Sequence, residues 1–273
     1  MVTFQKEQMK ECKGFLVCME WLFKSSYCKT GRVIGNMGSL KKHKKIFLIS
    51  GTGIVIAAIL VMVYFVPYLR RHYKTVLVNV SDASAMEKVD IGDKNVLTVY
   101  FTRVGNSDFE EDVDAVSSAS LMEENGELIG NSQLLATMVQ NAVGGDVYPI
   151  HTEKKYPSGY ADTTNVAKME LDSNEEVRIS GELPDMKEYD TVVLVFPLWW
   201  GTIPNAVKTF LQSEDMSDKA LHLIVTHGGS GKGNSVEDIK RMTDAKVSDN
   251  VLTIYDDVVT EASDTVGEWL RTL

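Results

Sequence analysis

Thr191–Phe196 reads TVVLVF and runs directly into Pro197–Pro204, PLWWGTIP. An uncharged, β-branched run without alternation describes a strand buried on both faces. Two prolines bracketing the segment that follows mark a loop at the strand's carboxyl end. Working outward, similar runs occur at Val96–Thr102 (VLTVYFT), Asp146–His151 (DVYPIH), Leu221–Thr226 and Val251–Tyr255. Helical patterns lie between them. In Ser132–Val143 the residues Leu134, Leu135, Met138 and Val139 share a face, and Gly144-Gly145 supplies a stop. Asn205–Leu211 follows Pro204 and presents Val207, Phe210 and Leu211, while Val266, Trp269, Leu270 and Leu273 recur at helical spacing near the end. Strands alternating with helices predict an α/β fold: a doubly wound, five-stranded parallel sheet over residues 96–273.

Ligands of such sheets bind at the carboxyl ends of the strands, near the switch point in strand order. Three unusual loops occupy those places. The first begins at Thr102-Arg103 and contains Gly-Asn-Ser twice, at 105–107 and 130–132. Only the second copy opens a convincing helix, whose dipole and free amides suit a phosphate. Thr102, Asn131, Ser132 and Gln133 are therefore the expected phosphate ligands, with 104–129 as an insertion. Ser132 as a simple helix cap is the competing reading, and Asn106 and Ser107 are the rival ligands. The second loop carries Trp199 and Trp200 between its prolines. Two adjacent side chains cannot both point inward, so one is expected to form a platform for a flat ring. The third loop, Thr226–Gly233 (THGGSGKG), fails as a Walker A motif because its glycine and serine spacing is wrong. Its glycines suit close backbone approach to a planar ligand.

Taken together, TRVGNS/GNSQ, PLWWGTIP and THGGSGKG resemble the flavodoxin-like family, in particular its branch with G-N-T, P-I-W-W-G and T-H-G-G-S-G loops. The resemblance covers residues 96–273. It implies flavin mononucleotide (FMN) as cofactor, strand order 2-1-3-4-5 and electron transfer. Position by position, Thr102, Asn131, Ser132 and Gln133 correspond to the phosphate loop. Pro197, Leu198, Trp199, Trp200 and Gly201 correspond to the first flavin loop, and Thr226, His227, Gly228, Gly229 and Gly231 to the second. The insertion departs from the pattern and leaves Arg103 unassigned. Stacked rings and a surplus of carboxylates would lower the flavin's potential. No residue need act as a general acid or base, so no catalytic residue is expected, and no metal ligand. The alternatives are an NAD(P)H-dependent quinone or flavin reductase on the same fold, and a non-redox binding module. A signalling receiver would need acidic residues where Thr102-Arg103 stand and an Asp near Pro197-Leu198.

Charge divides the chain. Residues 1–74 hold 13 Lys and Arg against 3 Asp and Glu, and residues 75–273 hold 15 against 35. So acidic a body excludes nucleic acid and favours redox partner proteins with basic surfaces. Ile46–Val66 is 21 residues without a charge, about the ~20 that cross a bilayer as a helix. No small-residue cleavage site ends it, which predicts an uncleaved single-pass anchor. Lys41, Lys42, Lys44 and Lys45 before it outweigh Arg70, Arg71 and Lys74 after it, placing the N-terminus inside and the acidic domain outside the cytoplasm. The expected organisation is a basic segment at 1–45, the helix at 46–66, a tether at 67–95 and the FMN-binding domain at 96–273. Residues 1–36 admit two readings: an amphipathic helix around Phe15–Phe23, or a start at Met37. Cys12, Cys18 and Cys28 form no C-x-x-C pair.

Overall fold

In a computed structural model of the chain, residues 76–109, 121–174 and 176–273 are described, all within one unit, Leu69–Leu273. The segment 1–45 and the expected helix at 46–66 lie outside these residues. Among the described residues no helix is long and apolar enough to cross a membrane.

Strand β8 (Thr191–Pro197) is the centre of the sheet and is buried throughout. Val192, Leu194 and Phe196 enter the core on one face, and Val193 and Val195 enter it on the other. Each such side chain stabilises the fold by about 1.5–3 kcal/mol through burial. β8 pairs in parallel with β2 (Val96–Tyr100) on one side and β9 (Ala220–His227) on the other. β2 pairs with the edge strand β5 (Asp146–Pro149). The free edge of β9 takes two short pieces, β10 (Lys246–Val247) and β11 (Leu252–Tyr255). Taking these two as one interrupted strand, the order is 2-1-3-4-5, as the loops implied. Pro149 lies on the outermost strand, where its missing N–H breaks no ladder.

One face of the sheet is covered by α2 (Asn131–Val143) and α6 (Ser263–Leu270), which bury Leu134, Leu135, Met138, Val139, Val266 and Leu270. The other carries α4 (Asn205–Ser213) and α5 (Ser235–Met242), with Val207, Phe210, Leu211, Val236 and Ile239 in its core. Pro204 stands one position earlier than expected, as the cap before α4.

Several elements were not read from the sequence. α3 (Tyr160–Ser173) is polar, buries only Thr163 and Ala167, and ends on Asn174 in the left-handed region. α5 is a second. The third lies inside the expected insertion, where β3 (Leu121–Glu124) and β4 (Glu127–Gly130) form an antiparallel hairpin. Asn125 and Gly126 make its turn with φ of 53° and 88°, the positive values that type I′ turns require. Within the stretch read as a tether, β1 (Val76–Leu77) pairs in parallel with β3, and α1 (Val80–Ala83) follows. The remaining short strands, β6 (His151–Thr152) and β7 (Ile179–Ser180), pair antiparallel beside β5.

Candidate functional site

The three loops meet at the carboxyl end of the sheet around a cleft of about 380 Å³, within the usual range for small-molecule pockets. Leu198, Trp199, Trp200 and Gly201 line it from the second loop, and His227, Gly228 and Ser230 from the third. Arg103 contributes from the first. The remaining wall comes from α3, through Tyr160, Thr163, Thr164 and Ala167. That wall had no legible signal, because α3 has neither a strong apolar stripe nor a side-chain cap.

The tryptophans diverge as expected. Trp199 is half-buried and meets Phe101 and Tyr156 edge-on, at centroid distances of 5.3 Å and 5.2 Å. Trp200 stays 54% exposed. Its indole N–H donates to Thr164 O at 2.9 Å, and Lys168 Nζ lies 5.7 Å from its ring centre. Trp199 and Thr202 exchange two backbone hydrogen bonds of 3.0 Å across Trp200 and Gly201. Both central residues have positive φ, 51° and 80°. For tryptophan this region costs about 1–2 kcal/mol, a strain of the kind held at functional sites. The third loop locks onto this turn. Asn234 N–H donates to Gly201 O at 2.8 Å, and a Cβ on Gly233 would lie 2.2 Å from the same oxygen.

Pro197 and Thr226 are buried neighbours in the sheet, and Thr226 O accepts the Leu198 N–H at 2.8 Å. Both position the loops rather than line the cleft. Gly229 and Gly231, with φ of 125° and 61°, shape the third loop without lining it. His227 Nδ1 accepts the Gly229 N–H at 2.9 Å and its ring meets Tyr255 edge-on. Burial pushes the His227 pKa down, and an accepting Nδ1 assigns the proton of the neutral ring to Nε2.

None of Thr102, Asn131, Ser132 and Gln133, the expected phosphate ligands, is among the residues that line the cleft. Gly130 is the cap residue of α2 and offers no side chain to the helix's first amides. Asn131 is 2% exposed, and its Nδ2 has no hydrogen-bond partner among the described residues; the same holds for Ser107 Oγ. Ser132 is buried at the second helical position and is not the cap. Gln133 Oε1 accepts the Gly130 N–H at 3.3 Å, so its side chain is already engaged. Thr102 packs against Gly130 so tightly that a Cβ there would sit 1.9 Å from Thr102 Oγ1. Asn106, the rival from the first Gly-Asn-Ser, is consumed by the fold. Its Nδ2 donates to Thr102 O and Ile150 O, each at 2.8 Å, and its Oδ1 accepts the Thr152 N–H at 2.7 Å. An uncapped helix start with an idle buried amide donor is the donor set that a phosphate monoester satisfies.

Arg103 is 1% exposed, donates to Ser158 O, and lies 5.1 Å from the Phe109 ring centre. Among the described residues that line the cleft, none is acidic.

The flavodoxin family matches residues 127–273. No curated protein sequence matches the chain. Among solved structures, a protein of Bacteroides uniformis described as a flavoprotein is 21% identical, covering 66% of this chain and 99% of its own, with a TM-score of 0.49. A counterpart from Bacteroides eggerthii is 20% identical over 64% of this chain and 98% of its own, at 0.45. A Lactobacillus acidophilus flavoprotein in complex with FMN is 15% identical over 63% of this chain and 99% of its own, at 0.42. The family match spans more than half of the chain, from the second strand of the hairpin before α2 onward, and the protein is a member of the flavodoxin family.

Proposed function

We propose that this protein binds FMN in the described cleft and transfers electrons, held at a membrane by residues 46–66 with the acidic domain outside the cytoplasm. The observation that carries the cofactor reading is the buried, uncapped start of α2, where Asn131 Nδ2 lacks a partner. The backbone amides of Asn131, Ser132 and Gln133, with Thr102 beside them, would hold the phosphate. Trp199, Trp200 and the Thr226–Gly231 loop would hold the ring. Bound there, FMN supplies the redox chemistry, while the protein supplies position and field. Arg103 stands at the cleft wall in the first loop. The acidic surface of the domain favours partner proteins with basic surfaces.

An absorbance spectrum of the purified protein, followed by titrations with FMN and riboflavin, tests the cofactor. Flavin bands and a clear preference for FMN are expected, and equal affinity for riboflavin would remove the phosphate role of α2. Assaying NAD(P)H oxidation with and without a quinone separates an electron carrier from a reductase. Protease added to intact cells should digest the acidic domain. Protection until lysis would place that domain in the cytoplasm.

A further inference from the structure

Residues 76–89 precede the family match, yet they are built into the end of the domain that carries the phosphate turn. In β1, Val76 lies opposite Met122 and Leu77 opposite Glu123. Val78 N–H extends this ladder by donating to Glu123 O at 2.9 Å. At the next step a side chain takes over, and Glu124 Oε1 accepts the Val80 N–H at 2.7 Å. Beyond α1 the segment fastens to α2, whose Asn141 Nδ2 donates to Ser84 O at 2.8 Å. Val89 N–H then donates to Ala142 O at 3.0 Å, and Val89 is buried with the α2 face. The segment thus grips the hairpin before α2 and the last turns of α2 itself.

The hairpin is what reaches the site. Leu121 of β3 pairs with Gly130 of β4, and Gly130 is the cap of α2. Gly130 has no slack against Thr102, where even a methyl group would overlap. A displacement of β3 is therefore passed through β4 to the first amides of α2 and to the Asn131 side chain.

We infer that Val76–Val89 is a clamp that sets the phosphate end of the cofactor cleft. It fixes the Leu121–Gly130 hairpin so that the start of α2 stays aligned for a phosphate group. Glu124 and Asn141 are its positioning residues, and neither lines the cleft. The inference rests on the FMN reading above and adds to it a segment outside the matched family region.

The test compares Glu124→Ala, Glu124→Gln and Asn141→Ala in the full chain in detergent, with FMN and riboflavin titrated into each. Glu124→Ala is expected to weaken FMN binding about tenfold, the scale of one lost hydrogen bond, while riboflavin binding changes by less than about twofold. Glu124→Gln keeps an acceptor for Val80 N–H and should recover most of the loss. Should Glu124→Ala fail to fold, Asn141→Ala acts from the other end of the segment and is read the same way. Unchanged FMN affinity, or equal losses for FMN and riboflavin, would overturn the clamp. Wild-type protein that does not prefer FMN to riboflavin would instead overturn the phosphate reading, before any variant is compared.

Discussion

In Gly105-Asn106-Ser107 the asparagine side chain bridges three backbone groups from separate strands and loops; in Gly130-Asn131-Ser132 the same tripeptide leaves its amide nitrogen idle. Their glycines differ as well. Gly105 has φ of 81° and a Cβ there would lie 2.7 Å from the His151 ring, whereas Gly130 is an extended helix cap against Thr102. The first copy's asparagine holds the loops together, while the second copy's amide nitrogen makes no such bond among the described residues. The difference teaches that a motif's chemistry depends on which of its polar groups the fold leaves unsatisfied.

Asn106→Ala should break the first copy hardest. It strands Thr102 O, Ile150 O and the Thr152 N–H in the interior, and a loss of about 3 kcal/mol is expected in a denaturant melt. A loss below about 1 kcal/mol would mean that water replaces the side chain easily. Asn131→Ala should do the reverse. Stability should hold within about 0.5 kcal/mol, because no protein partner is lost, while FMN binding weakens about tenfold or more. If both variants behave alike, the contrast between the copies fails.

The ring end sharpens the same comparison. Trp200→Ala removes a mostly exposed ring, so FMN binding should fall about tenfold with little change in melting. Trp200→Gly should lose the same affinity yet gain about 1 kcal/mol of stability, since glycine adopts the positive φ without strain. A large stability loss in either variant would make Trp200 a packing residue and transfer the stacking role to Trp199.

The smallest effect is a pH dependence. Burial holds the pKa values of His227, His151 and His222 below the ordinary 6.5. The unfolded chain therefore takes up these protons first as pH falls. Stability should be complete above about pH 6.5 and decline as pH falls through the lowered folded values. Protonation of His227 Nδ1 also removes the acceptor for Gly229 N–H, so flavin release should quicken over the same range. Stopped-flow fluorescence between pH 7.5 and 5 measures this, and a flat profile would remove His227 from the loop's control.

From the sequence by itself came the strands of the central sheet and the loops that follow them, because apolar runs and Gly/Pro punctuation act locally, while the strand order followed from the resemblance those loops carry. The same local logic missed the Asn125-Gly126 hairpin signal inside the insertion, and it could not see α3, whose apolar residues are spread around the helix rather than gathered on one face. Only the tertiary structure decided which Gly-Asn-Ser asparagine is spent on the fold, which tryptophan turns outward, and that residues 76–89 fasten to the hairpin before α2 and to the last turn of α2. Those outcomes involve hydrogen bonds between residues 36 to 57 positions apart, as for Trp200 with Thr164, Asn106 with Ile150 and Asn141 with Ser84. Long-range pairing of that kind leaves no periodicity in the chain, since either partner alone reads as an ordinary polar loop residue.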